Sequence, residues 1–433
     1  GNFILRLNSE FAFAAQRNAS LHINDVHYLS SMTGLQEWFD HSFWCMYKYA
    51  LSFKAIPLFC HNIATIIGAA HGKSKKLLVL DLDNTLWGGV IGDDGVGGIR
   101  IGKDDPQGEA FTRFQLYIKA LRERGIMLAI CSKNDIESAR EGLSHPDMIL
   151  KEEDFVAMRT TWGPKDISIR EIANELNIGV DSIVFVDDNP VERELVKGNL
   201  PEVAVPDIGE DVTRFASIID QAGYFDTVSL SKDDLDRNEY YVQNSKRATS
   251  EAKFATHGEY LQSLEMVAEI ADWCPFYLER IVQLINKTNQ FNLTVKRLAQ
   301  TEAENSLKSD KFISLYGKLA DKFGDNGLVS VLQGRIDDQK AIHIDLWVMS
   351  CRVFNRELEL AMFDMLVDKC INRGITTIYG TYIPSTKNRL VADLYASIGF
   401  NMVGESETGK TLWEFKPTKD YKRLTGKIDI RGV

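Results

Sequence analysis

Lys75-Lys76-Leu77-Leu78-Val79-Leu80-Asp81-Leu82-Asp83-Asn84-Thr85-Leu86-Trp87-Gly88-Gly89 is the stretch from which the rest of the chain is read. Its unbroken apolar run, Leu77 to Leu80, predicts a buried parallel strand, and two carboxylates one residue apart follow at its end. Ligand sites of open α/β sheets lie at the carboxyl ends of strands. The chemistry that uses such a pair is attack by a carboxylate on phosphorus, giving an aspartyl phosphate, with a divalent cation offsetting the charge. Asp81 is then the nucleophile. Asp83, on the other side of the extended chain, is placed to protonate a leaving oxygen and later to deprotonate the attacking species. Thr85 braces the turn and is a candidate substrate contact. The alternative is a strand end decorated with solvated aspartates.

Three later stretches favour the first reading. Met127 to Cys131 is a second apolar strand ending in Ser132-Lys133-Asn134-Asp135, where a hydroxyl and free N–H groups at a helix start suit phosphate oxygens. Ser132 and Asn134 are the candidates there. Lys165, in Trp162-Gly163-Pro164-Lys165, is placed to neutralise the phosphoryl group and Asp81. Ile183 to Val186 ends in Asp187-Asp188-Asn189-Pro190, paired acids suited to Mg²⁺, which takes oxygen ligands. The expected metal set is Asp81, Asp83 through its backbone, Asp187 and Asp188.

These motifs resemble those of the haloacid-dehalogenase-like (HAD) phosphotransferases. The strings LVLDLDNTLWGGVIGDDG, CSKND, FVDDNPVER, KTNQFNLT, DKFGDNGL and MSCRV, spread from about Lys75 to Phe400, together resemble the FkbH-like family. The resemblance implies Mg²⁺-dependent removal of phosphate from 1,3-bisphosphoglycerate and transfer of the glyceryl unit to the pantetheine thiol of an acyl carrier protein. The partners implied are that carrier and a small phosphorylated substrate. The runner-up is a Mg²⁺-dependent phosphatase fused to a separate acyltransferase for a sugar or amine.

With 433 residues and 44% hydrophobic content the chain can bury two or three cores. A net charge of -11 argues against a nucleic-acid partner. Six cysteines without a Cys-x-x-Cys pair fit a reduced, cytoplasmic setting, and no apolar run is long enough to cross a bilayer. The chain opens Gly1-Asn2 without Met, so a longer protein with a part upstream is expected.

Five segments are expected. Residues 1–74 form an N-terminal remnant, where Asn24-Asp25-Val26-His27 loosely resembles the block closing SGNH-like hydrolase domains, and the aromatics from Trp38 to Phe59 read as core. Residues 75–211 form the phosphotransfer domain, a doubly wound, mainly parallel α/β sheet, with extra strands expected at Met148–Leu150 and Val203–Pro206. Only a glycine-rich turn and one amphipathic helix lie between Asp81 and Ser132, so the site carries a minimal cap. Residues 212–259, with the charged run Lys232 to Arg237, read as a helical connector. Residues 260–416 resemble an α+β GNAT acyltransferase fold, whose splayed strands admit a pantetheine arm, and 417–433 form a tail.

In the GNAT-like part the resemblance nominates Asn289, Gln290, Asn292 and Arg352 as substrate or pantetheine contacts. Asn355 stands where family members would carry glycine, which makes free coenzyme A a poorer fit than a carrier-bound arm. A thioester relay through Cys131, or alternatively Cys351, is the remaining catalytic candidate.

Overall fold

Leu77–Leu80 is the strand β1, and all four of its residues are buried because it lies between two parallel neighbours. In this computed structural model the described residues are 2–18, 21–228, 235, 237–251 and 253–431. The chain separates into two units, 1–238 and 239–433.

In the first unit β2 (Met127–Ser132), β3 (Ala157–Thr160) and β4 (Ile183–Val186) join β1 in a parallel sheet of order β3-β2-β1-β4. Parallel pairing needs crossovers, and helices Pro106–Glu123, Ile136–Leu143 and Lys165–Glu175 supply them. The Pro106 helix starts where the sequence says it should: Pro106 occupies its first turn, and Asp105 accepts from the N–H of Gln107 and Gly108 at 2.8 and 3.0 Å. Because β1 is interior, its end is flanked by the ends of β2 and β4. That flanking gathers the motifs.

Three sequence expectations are corrected here. Met148–Leu150 is not a strand. Its buried N–H groups at Ile149 and Leu150 donate to Gln115 Oε1 at 2.9 and 3.2 Å, so a side chain replaces the partner strand that apolar content alone suggests. Val203–Pro206 contributes only an isolated bridge, Ala204 to Val184. The 212–259 segment is not a solvated connector throughout: helix Val212–Gln221 buries Phe215 and Ile219, with Phe215 edge-on to Phe114 at 5.4 Å. Of the charged run, residues 232–234 and 236 lie outside the described residues.

Residues 2–74 are helical, and here the aromatic stretch departs from the core reading. Trp38 is buried, but Trp44, Tyr47, Tyr49 and Phe53 are exposed. The last three pack against one another at tilted and edge-on angles, and Phe43 against Phe53 at 4.4 Å between ring centroids. Asp25 caps helix Val26–Thr33 through Tyr28 N–H at 2.9 Å, and His27 is exposed.

The second unit is α+β. Its sheet runs β11 (Asn401–Glu405), β12 (Thr411–Phe415), β10 (Thr377–Tyr382), β9 (Ala341–Met349), β8 (Gly324–Ile336), β7 (Phe312–Asp321), β5 (Met266–Asp272), β13 (Ile428–Arg431). The residues after 416 are therefore part of the fold. Asp364, fully buried, holds them by accepting from Leu424 N–H, Thr425 N–H and Tyr421 Oη at 2.9, 2.9 and 2.6 Å.

The parallel pair β9/β10 is in register only from Ala341↔Thr377 to Ile344↔Gly380 and then diverges. The gap is filled by the chain itself. Strand β6 (Phe291–Asn292) pairs with Val348 and Met349, and Leu293 bonds Trp347 O on one side and Ile383 N–H on the other, at 3.2 and 2.8 Å.

Candidate active site

Asp81 leaves β1 with its N–H donated to Val186 O at 3.0 Å, so the nucleophile candidate is registered against the end of β4. The next residues of β4's loop are Asp187 and Asp188. One carboxylate oxygen from each of Asp81, Asp187 and Asp188 falls within 4.8 Å of the others. Lys165 enters from the start of its helix and places Nζ 2.9 Å from Asp81 Oδ1 and 2.6 Å from Asp187 Oδ2. Three acids and one ammonium leave net negative charge in a buried site.

The electrostatics follow. Burial first, then the Asp81 charge, raises Asp187 and Asp188 above the ordinary carboxylate range. Burial alone would lower Lys165, but Asp81 and Asp187 outweigh it and hold the ammonium above the usual lysine value. Asp81 Oδ1, though ion-paired with Lys165, has no partner in hydrogen-bond geometry. Three clustered carboxylates that a single ammonium does not neutralise fit a small divalent cation with oxygen ligands.

Asp83 stands outside this cluster. Its Oδ1 accepts from Trp87 Nε1 at 2.9 Å and Ile91 N–H at 3.0 Å, and its Oδ2 from Asn134 Nδ2 at 2.8 Å. Its carboxylate is therefore no metal ligand, leaving only its backbone for the metal role expected of it. Asn84 adopts φ 52° and accepts from Gly89 N–H at 2.9 Å, which turns the chain so that Trp87 folds back onto Asp83.

Two expected substrate contacts have other work. Thr85 is fully buried, and its hydroxyl accepts from Asp188 N–H at 3.2 Å, so it braces the acidic loop. Asn134 joins Asp83 to Ser132, donating to Ser132 Oγ at 3.2 Å. Ser132 is buried at the end of β2, the strand that pairs with β1. Sequence reading missed two clamps. Trp87 fixes Asp83, and Arg193 donates to the carbonyls of Asp187 and Asp188 at 2.8 and 2.6 Å. The signal was local: Trp87 is four residues after Asp83, and Arg193 sits inside the FVDDNPVER string.

Cys131 does not suit a relay. Its side chain is buried on the strand beside Ser132, with Sγ 3.8 Å from Lys165 O, and burial pushes the thiol up to about 12, the Lys165 charge offsetting only part. A thiol held neutral is a poor nucleophile. Cys131→Ala is expected to keep phosphate release within about threefold of wild type, with a modest loss of thermal stability, since only a small buried group is removed. A loss of about a hundredfold in acyl transfer to a carrier thiol, with phosphate release kept, would restore the relay.

In the second unit the nominated amides are largely committed to structure. Asn292, fully buried, donates to Thr288 O at 3.2 Å and accepts from Val295 N–H at 2.8 Å. Asn289 accepts from Arg297 Nη2, while Gln290 is half-buried. Arg352 lies 4.1 Å over the Tyr240 ring and donates to Ser350 Oγ at 3.3 Å. Asn355 and Glu357 both take φ 61°, so the turn before helix Leu358–Asn372 forms without glycine. That helix opens with Glu357 and Glu359, acids that suit a helix N-terminus and oppose a pyrophosphate there.

No protein-family model matches the chain, and no curated protein does. A solved structure does match: the N-terminal part of the Bacteroides fragilis protein BF1531, containing a phosphatase domain and complexed with Mg. It is 40% identical, with a TM-score of 0.51, over 52% of this chain. The chain spans 60% of the length of that structure. The first unit carries a HAD-type α/β fold. Weaker likenesses include a GNAT-family acetyltransferase from Streptococcus pneumoniae, 19% identical with a TM-score of 0.29, covering 35% of this chain and 99% of that one. The Escherichia coli ribosomal-protein-S18-alanine N-acetyltransferase is 11% identical with a TM-score of 0.28, covering 37% and 100%. No helix is long and apolar enough to cross a membrane among the described residues.

Proposed function

We propose that the protein is a Mg²⁺-dependent phosphotransfer enzyme acting through Asp81. The observation that carries this reading is the meeting of Asp81, Lys165, Asp187 and Asp188 at the end of one parallel sheet, with Asp83 clamped two residues beyond the nucleophile. Asp81, Asp187 and Asp188 would hold Mg²⁺, which when bound offsets charge on the phosphoryl oxygens. Lys165 and Ser132 orient the phosphoryl group. The Asp81 carboxylate attacks phosphorus, the bond to the leaving oxygen breaks, and Asp83 gives that oxygen a proton. Asp83 then takes a proton from the water that hydrolyses the aspartyl phosphate.

The finer reading is glyceryl transfer from 1,3-bisphosphoglycerate to a carrier-bound pantetheine thiol, supported by the strings shared with the FkbH-like family. Bond chemistry assigns the phosphates. Attack by Asp81 on the acyl phosphate would release a carboxylate and lose the activation, so Asp81 takes the ester phosphate. The carrier thiol then attacks the acyl carbon, the carbon–oxygen bond breaks, and phosphate leaves with the thiol's proton. Since residues 291–293 occupy the edge of β9, the arm would not add there as a strand.

The test is the intact mass of a phosphopantetheinylated carrier protein after incubation with this protein, Mg²⁺ and 1,3-bisphosphoglycerate. A glyceryl adduct is expected. Free phosphate with no adduct on any carrier would leave the phosphatase reading alone.

A further inference from the structure

The floor of the phosphoryl site is closed, and its rim is open. Asp81, Ser132, Lys165 and Asp187 expose 7%, 3%, 3% and 0% of their surface, whereas Trp162 and Val191 expose 70% and 71%. Both rim residues lie next in sequence to the site: Trp162 three residues before Lys165, Val191 three after Asp188. They are also tied to the loop that follows Ser132. Thr161 N–H donates to Ser132 O at 3.0 Å, and Trp162 Nε1 reaches Asp135 Oδ1 at 3.4 Å. From the same loop Lys133 pairs with Glu192 at 2.5 Å, beside Val191.

A phosphoryl group that reaches Asp81 must leave the rest of its molecule at this rim. An indole so exposed is unusual for tryptophan, and its only polar atom already faces Asp135. What it still offers a ligand is a carbon face. We infer that Trp162 is a specificity-determining residue that contacts the carbon skeleton attached to the phosphate, so that the site favours organic phosphates extending beyond their first carbons. This rests on the phosphotransfer reading above.

The full chain with Mg²⁺ is assayed on p-nitrophenyl phosphate and acetyl phosphate. In Trp162→Ala the ratio of kcat/KM for the first over the second is expected to fall about tenfold, through KM. An unchanged ratio, or an equal loss on both, overturns the inference. A second readout is independent of turnover: phenylphosphonate should quench wild-type fluorescence more than that of Trp162→Phe, and equal quenching overturns the inference. If neither substrate is turned over, the quenching difference alone decides whether Trp162 meets the organic group, and the phosphotransfer reading is decided separately by Asp81→Asn.

Discussion

Asp81→Asn abolishes phosphate release, by about 10⁴-fold or more, without unfolding the protein. The amide cannot attack phosphorus, and losses of that size are usual when a nucleophile is removed. Stability should move the other way. Asp187 and Asp188 are raised by burial and next by the Asp81 charge, so neutralising position 81 relieves that repulsion in the metal-free site and offsets the loss of its ion pair with Lys165, which keeps Asp187. The expected result is a melting temperature equal to or above wild type without Mg²⁺, and a smaller upward shift when Mg²⁺ is added, because one ligand charge is gone. Asp83→Asn differs: it keeps the nucleophile but loses both the proton given to the leaving oxygen and the base that activates water, so phosphate release falls while the Mg²⁺-induced shift in melting temperature stays near wild type. Phosphate release and calorimetry with and without Mg²⁺ check all of these. An active Asp81→Asn protein would end the phosphotransfer reading.

The meeting of Asp81, Lys165, Asp187 and Asp188 was legible in sequence because each part is local. Asp81, Ser132 and Asp187 each follow a short apolar run, and the run predicts both the strand and the end at which chemistry collects. Helix Lys165–Glu175 likewise announces itself through Pro164 and its apolar spacing. What stayed hidden depends on partners distant in sequence. Met148–Leu150 looks like a strand until Gln115, more than thirty residues earlier, is seen taking its N–H groups. Asn292 looks like a ligand amide until β6 is seen wedged against β9. Thr85 and Asn134 lie in the right loops, but only the fold reveals that they hold Asp188 and Asp83. Residues 417–431 resemble a tail because nothing nearby signals that Asp364 will anchor them.

Asp321→Ala is expected to destabilise the second unit by about 3–5 kcal/mol, the cost of leaving buried charge without its partner. The string DKFGDNGL suggests turn chemistry, and part of it is that: Asp321 Oδ1 accepts from Phe323 N–H at 2.9 Å. Its larger task is different. Asp321, with a fully buried side chain, receives Arg247 through Nε and Nη2 at 2.8 and 2.7 Å and Arg356 through Nη1 at 3.1 Å. Asn244 bridges the same two arginines at 2.8 Å to each. Two guanidiniums share one carboxylate, so burial first and then Arg247 pull Arg356 down to about 10. Without Asp321 both cations remain in the interior with only amide and carbonyl partners, and their mutual repulsion is unscreened. The loss should fall on the calorimetric transition of the second unit and spare Mg²⁺-dependent phosphate release by the first. Asp338→Ala, on an exposed turn, serves as the control and should change stability by less than about 0.5 kcal/mol. Replacing Arg356 by Met in the Asp321→Ala background should recover part of the loss, because it removes one of the stranded charges. If Asp321→Ala melts with wild type, the network is ornamental, and the turn hydrogen bonds alone explain the motif.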